Sequence, residues 1–190
     1  SLLDDAALTK IGSVGKPLTR TEVKLLNDYG EEVAIGEVGE ICVRGPQVMK
    51  GYLRNLEETS NTIRNGWLHS GDLGRFDDEG YLYIVDRKKD MIIRGGENIY
   101  PIEIEEVLYQ IPEILEAAVV GVPHEVYGEV PKAFIVLKED QTLTEEAITN
   151  YMKTQLAKYK VPAEVEFIDS LPRNASGKVL KHTLRPTQNV

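Results

Sequence analysis

Asp86-Arg87-Lys88-Lys89-Asp90-Met91-Ile92-Ile93-Arg94-Gly95-Gly96-Glu97-Asn98-Ile99-Tyr100-Pro101 divides this chain into two parts of different character. Its charged start reads as a connection between strands or domains, the usual meaning of a mixed-charge run. Met91-Ile92-Ile93 reads as a short strand, ended by Gly95-Gly96. Pro101 suits the first position of a helix, and Glu103, Glu105 and Glu106 favour that helix's amino-terminal end, where the peptide dipoles point their positive pole. That helix is expected to run to about Gln110.

Working outward toward the amino terminus, short strands and turns dominate. Thr21-Glu22-Val23-Lys24-Leu25 alternates polar and apolar residues, as a half-buried strand does. Asn27 to Gly30 is a turn. Val38 to Arg44 is a second strand, and Tyr81 to Val85 a third, introduced by the turn Asp77-Asp78-Glu79-Gly80. Asn55 to Arg64 reads as a short helix. Such spacing predicts a small, mostly antiparallel barrel or sheet. Toward the carboxyl terminus, Leu115 to Val122 and Lys132 to Lys138 read as strands. Thr142-Leu143-Thr144-Glu145 reads as a capping box for a helix that puts Ile148, Tyr151, Met152, Leu156 and Tyr159 on one face. Pro162 ends it, and Val165 to Ile168 is a last strand. The expectation is an α+β chain: a small distorted antiparallel β-barrel subdomain over residues 1–86, a hinge over 87–90, and a compact α+β domain over 91–190.

Composition narrows the function. The 190 residues carry a formal charge of −9, and their 42% hydrophobic content is enough to bury a core. No basic run exceeds Arg87-Lys88-Lys89, which argues against a nucleic-acid partner. An anionic nucleotide is not excluded, because the local field at a site decides that binding. The single cysteine, Cys42, excludes an internal disulfide and reads as a buried strand residue. His69, His124 and His182 lack the spacing of metal ligands, so no metal site is expected. No apolar run is long enough to span a membrane and no leader pattern is present. The reading is a soluble, cytoplasmic protein. Ser1 at the start, followed at once by mid-protein-like sequence, suggests a piece of something longer.

Several segments could carry chemistry. In Trp67-Leu68-His69-Ser70-Gly71-Asp72, a carboxylate directly after a glycine in a tight turn can accept from two ribose hydroxyls. It can equally satisfy backbone donors within the turn. Arg87 carries a rigid fork of donors suited to ribose oxygens or phosphate, though a solvated connection is the plainer reading. Gly95-Gly96 lets another backbone or a thin ligand come close, or simply makes a hairpin. Lys178, after the small residues of Asn174-Ala175-Ser176-Gly177, can reach into a site on another domain and neutralise charge developing on a phosphate, or can be a surface lysine. No Walker-type phosphate loop is present.

Taken in order, these segments resemble those of adenylate-forming enzymes: acyl-CoA synthetases, firefly-type luciferases and the adenylation domains of peptide synthetases. The resemblance runs from about Lys10 to Lys181. It rests on Gly39 to Gly45 with Gly51-Tyr52, on Gly66 to Asp72, on Asp86 to Pro101, on Leu156 to Pro162 and on Pro172 to Lys178. Gly-Gly-Glu-Asn-Ile-Tyr-Pro is similar to the wording of acyl- and aryl-CoA ligases. Peptide synthetase domains usually carry Arg-Gly-x-Arg-Ile-Glu there.

The resemblance implies a two-step reaction. A carboxylate, with a medium- or long-chain fatty acid the first expectation, attacks the α-phosphate of ATP; coenzyme A then displaces AMP. It implies that Asp72 and Arg87 hold the ribose and that Lys178 serves the adenylation step. Lys89 matches the hinge, about which a mobile carboxyl-terminal lid domain would turn. Gly95, Gly96 and Glu97 would lie on the face used by coenzyme A, with Gly96 lining the pantetheine channel. Lys158 and Lys160 could meet the phosphates of coenzyme A, or be solvated lysines at a helix end. The family's phosphate loop, acyl pocket and magnesium ligands would lie upstream of this chain, and the chain alone is expected to be inactive. The competing reading is a non-catalytic nucleotide-binding or docking module, or a luciferase-like or carrier-charging enzyme.

Overall fold

The computed structural model describes residues 9–186. The outer bounds expected at residues 1 and 190 lie outside the described residues. Two compact units are present, Ser1–Lys89 and Asp90–Val190. The architecture is α+β with mostly antiparallel sheets.

The first unit is built on strands β1 (Ser13–Gly15), β2 (Glu22–Leu26), β3 (Gly39–Arg44), β4 (Ile63–Arg64), β5 (Trp67–Phe76) and β6 (Leu82–Arg87), with helix α1 (Leu56–Thr62) before β4. The sheet runs β1-β6-β5-β3-β2, with β4 also on β5. The expected barrel is therefore an open sheet among the described residues. Its end strands β1 and β2 do not pair with each other, so the ladder does not close. The alternation read in β2 turns Leu25 inward, whereas β3 is buried at four consecutive residues, Gly39 to Cys42. Leu25 and Ile41 are buried with Leu82, and Val23, Val33, Val43 and Phe76 pack around them. Asn55 caps α1 by accepting from the Glu58 amide at 3.0 Å. Asp77 closes the turn into β6, its Oδ1 accepting from the amides of Glu79 and Tyr81. Cys42 is fully buried in β3, as its apolar neighbours imply.

The second unit comprises β7 (Ile92–Arg94), β8 (Glu97–Ile99), α2 (Pro101–Leu108), β9 (Ile114–His124), β10 (Gly128–Leu137), α3 (Glu145–Gln155) and β11 (Glu164–Phe167). The sheet runs β11-β10-β7-β8 with β9 on β10, and only the β10–β11 pair is parallel. Ala117 and Val119 of β9 point to one core and Ala118, Val120 and Val122 to another, so this strand is buried on both faces. That is why it reads as a continuous apolar run rather than an alternation. Pro101 stands at the first turn of α2, as predicted, and Pro101, Ile104, Val107 and Leu108 form the buried stripe. Ile104, Val107 and Leu108 pack with Ile148 and Met152 of α3 in the larger core.

Two local expectations need correction. The cap of α3 is Thr144, whose hydroxyl accepts from the Ala147 amide at 3.2 Å. The third helical position is then an alanine, so no reciprocal box forms. Tyr159 falls beyond that helix, which ends at Gln155. The other concerns Trp67 to Asp72, expected as a tight turn. It opens the ten-residue strand β5.

Candidate functional site

The first unit brings two of the sequence-predicted residues face to face. Asp72 of β5 lies directly opposite Arg87, the last residue of β6, in the antiparallel ladder. The guanidinium Nε is 3.3 Å from the carboxylate Oδ1, and both side chains stay partly open to solvent. An acceptor and a planar donor fork are thus side by side at the end of the β5–β6 ladder, partly open to solvent, where a polyhydroxylated ligand can reach them.

Asp72 is presented by an irregularity in its strand. Glu40 of β3 pairs with Leu73, but Cys42 pairs with His69, so β5 carries extra residues between those points. Ser70, Gly71 and Asp72 stand opposite the single Ile41, an excess of two residues. Gly71 takes a φ of +74°, a conformation that costs residues with a Cβ but not glycine. The Ser70 hydroxyl accepts from the Asp72 amide at 3.1 Å. The tight turn expected around Gly71 is thus a bulge within a strand.

Beneath this bulge sits a polar cluster that sequence reasoning missed. Glu40 is 6% exposed, the one charged residue buried among those described. Its Oε1 accepts from the Gly71 amide at 3.3 Å. Its Oε2 accepts from the Lys88 ammonium at 3.2 Å and lies 3.2 Å from His69 Nδ1. His69 Nδ1 is also 3.3 Å from the Cys42 sulfur. Burial pushes the Glu40 carboxyl up, yet the bonds from His69 and Lys88 outweigh it and hold the group below its ordinary value. Burial, with the Glu40 charge adding, pushes the Cys42 thiol up to about 11. Glu40, Cys42 and His69 have ligand atoms within 4.8 Å of one another, a grouping that histidine spacing does not reveal. The Lys88 ammonium already balances the carboxylate there. The donor set is sulfur, nitrogen and oxygen, not the all-oxygen shell magnesium demands, so magnesium does not fit this group.

The hinge expectation falls on a single-turn 3-10 helix, Lys88–Asp90. Lys88 is held by Asp28 at 2.8 Å and Glu40 at 3.2 Å. Lys89 is exposed and is the last residue of the first unit.

In the second unit, Gly95 and Gly96 form the two-residue connection between β7 and β8. Both have positive φ, +59° and +92°, which is the backbone demanded by the hairpin turn that matches strand twist. Gly95, Gly96 and Glu97 are all exposed. A Cβ on Gly96 would meet nothing within 4 Å, so the face beside it is open. This hairpin is tied to the Leu156 to Pro162 segment: the Arg94 guanidinium donates to the Tyr159 carbonyl at 2.6 Å. Lys160 is not a free cation. It pairs with Glu103 at 2.6 Å, and that bond raises its pKa against the opposing effect of burial. Lys158 is exposed.

Lys178 ends a tight loop organised by Asn174. The Asn174 Oδ1 accepts from the amides of Ser176 and Lys178, at 3.1 and 2.9 Å, and Arg173 bridges to Val179 as an isolated antiparallel pair. Arg173 is itself bonded to Glu116 and to the Gly177 carbonyl. The loop backbone is thus fixed while the Lys178 side chain projects, exposed.

Comparison with known proteins supplies context for these residues. A family model for the AMP-binding enzyme C-terminal domain matches residues 103–178, and one for AMP-binding enzyme matches residues 1–53. A 2-succinylbenzoate–CoA ligase of Geobacillus kaustophilus is 48% identical over 97% of this chain and 38% of its own length. A long-chain-fatty-acid–CoA ligase of Escherichia coli is 52% identical over 92% of this chain and 31% of its own length. The solved structure of o-succinylbenzoate CoA synthetase from Bacillus subtilis, in complex with its acyl-adenylate intermediate, superimposes with a TM-score of 0.87 at 45% identity. That match covers 96% of this chain and 37% of the other. The chain therefore spans roughly a third of the length of these relatives, from 31% to 38%.

Proposed function

Because the chain belongs to the AMP-binding, adenylate-forming enzymes, we propose that it is the carboxyl-terminal part of an ATP-dependent ligase that joins a carboxylic acid to coenzyme A through an acyl-adenylate. The observation that carries this reading is Asp72 facing Arg87 across β5 and β6. The Asp72 carboxylate accepts from the two ribose hydroxyls of ATP, and the Arg87 fork assists at a ribose oxygen. Lys178, on a loop with a fixed backbone, brings its ammonium to the joining carboxylate and α-phosphate. The carboxylate oxygen forms a bond to that phosphorus, and pyrophosphate leaves with the bonding pair.

In the second step the coenzyme A thiol gives up its proton to solvent as its sulfur attacks the acyl carbon; the bond from that carbon to the phosphate oxygen breaks, and AMP leaves with the bonding pair. The unit that begins at Asp90 turns about Lys89 between the steps, withdrawing Lys178 and presenting Gly95, Gly96 and Glu97. The open face at Gly96 supports this, since a slender pantetheine arm needs space beside a backbone. One nucleotide site then serves two transition states, and closure keeps water from a hydrolysable adenylate. Lys160 has a local partner in Glu103, so the coenzyme A phosphates are left to Lys158 in this reading. Magnesium, when bound with ATP, would neutralise phosphate charge; these residues do not hold it.

Relatives at similar identity are named for 2-succinylbenzoate and for long-chain fatty acids. A medium- or long-chain fatty acid is therefore the first acid to assay and 2-succinylbenzoate the second. The test is pyrophosphate release by the full-length protein carrying these residues, with ATP, magnesium and each acid, followed by coenzyme A. Acid-dependent pyrophosphate release with thioester formation supports the reading. AMP binding without either product would replace it with a non-catalytic nucleotide-binding module.

A further inference from the structure

We propose that Glu40 is a positioning residue for the nucleotide site: its buried carboxylate props the bulge that presents Asp72 and, through the same side chain, anchors Lys88 at the start of the hinge. This rests on the roles proposed for Asp72 and the hinge.

The bulge creates the need. In β5 the residues between His69 and Leu73 face a single residue of β3, Ile41, so the Gly71 amide has no ladder partner from β3. A half-buried amide without an acceptor is costly, and Glu40 Oε1 is the group that reaches it. This amide belongs to the peptide that leads into Gly71, so anchoring it fixes the backbone one residue ahead of Asp72 and limits where the carboxylate can be carried. The Glu40 charge itself is neutralised by Lys88, the residue before the proposed pivot Lys89. Asp28 holds the same ammonium from the exposed side. His69 completes the set from within β5. A neutral acceptor could satisfy Gly71, and a surface carboxylate alone could hold Lys88. A buried ionised carboxylate does both at once, which is a reason to tolerate one inside a sheet.

The experiment uses the full-length protein, with AMP affinity measured by titration calorimetry and cleavage at Lys88 followed under limiting trypsin. Glu40→Ala is expected to weaken AMP binding by about tenfold, ~1.4 kcal/mol. In an Asp72→Asn background the same change is expected to cost nothing further, because its effect runs through Asp72. Glu40→Gln keeps an acceptor for Gly71 and is expected to bind AMP within about threefold of the parent, under ~0.7 kcal/mol. Its amide cannot balance the ammonium, so trypsin should cut it at Lys88 about tenfold faster, as loss of one charged hydrogen bond implies. An equal loss from Glu40→Ala with and without Asp72 would reveal a merely structural role and overturn the proposal. So would a Glu40→Gln protein that is cut no faster, or one whose AMP affinity falls as far as that of Asp72→Asn; these two outcomes decide the matter if Glu40→Ala does not fold. Asp72→Asn that binds AMP normally would overturn the nucleotide reading beneath it instead.

Discussion

Replacing Asp72 with asparagine separates what this carboxylate does for the fold from what it does for a ligand. In the fold its partner is Arg87, at 3.3 Å, and the side chains are 33% and 46% exposed. Ion pairs this open to solvent contribute ~0–1 kcal/mol, because water screens them and two side chains must be ordered. Asparagine also keeps an oxygen for Arg87. Asp72→Asn should thus shift the melting temperature by no more than about 4 °C, the lower end of what ~1 kcal/mol does to a domain of about 100 residues. Against a ribose the balance differs. A hydrogen bond to a charged group contributes ~1.5–3 kcal/mol, so losing the charge should raise the dissociation constant for AMP about 10- to 100-fold. Calorimetric titration with AMP and with its 2′-deoxy analogue checks the assignment. The parent should lose affinity when the 2′-hydroxyl is removed, and Asp72→Asn should lose much less. If the variant binds AMP as the parent does, or discriminates equally against the deoxy analogue, Asp72 is not the ribose acceptor.

Other outcomes follow from the geometry. Ile104→Ala empties a fully buried position of α2 and should cost ~2–5 kcal/mol, lowering the unfolding midpoint in urea for the unit beginning at Asp90. Gly96→Val places a branched side chain at a φ of +92° on the open hairpin face, and should raise the KM for coenzyme A while leaving pyrophosphate release in the first step within about twofold. The Glu40 carboxyl is held below the ordinary glutamate value of 4.5, so its contribution to stability is present above that pH and fades as the pH falls through the lower folded value. Acid titration of Glu40→Gln should therefore show a shallower loss of stability below pH 4.5 than the parent. Cys42 is fully buried with its thiol pushed up to about 11, so a disulfide reagent at pH about 8 should label it only after unfolding.

Much of the fold was legible because it is encoded by local chemistry. Pro101, the acidic first turn of α2, the glycine pair between β7 and β8, and Asp77 at its turn each act within a few residues of themselves. The family resemblance could be read from ordered segments, and the matches at residues 1–53 and 103–178 agree with it. The misreadings share a cause. Gly71 in Trp67 to Asp72 looks like a turn residue, but its positive φ serves a bulge that exists only because β3 pairs on one side. Thr142 and Thr144 offer equally good capping chemistry, and packing of the helix decides between them. Barrel closure depends on which strands meet at the sheet's ends, which strand spacing does not specify.

The candidate site divides in the same way. Asp72 and Arg87 could be singled out as residue types, but their register in the ladder could not. Glu40 and Cys42 fall in a run that reads as a strand, and His69 lacks the spacing of a metal ligand; Glu40 and His69 lie 29 positions apart and meet only across paired strands. Lys160 looked like a solvated cation, and its partner Glu103 lies 57 positions away.

Lys178→Ala in the full-length protein separates the two half-reactions, in the first of which Lys178 is proposed to act and in the second to stand aside. The side chain is exposed, so the variant should keep its fold, with stability within about 0.5 kcal/mol of the parent. Single-turnover adenylation should slow by ~10²–10³. Thioester formation from preformed acyl-adenylate should stay within a few-fold of the parent rate. Equal slowing of both steps, or of neither, would contradict the account.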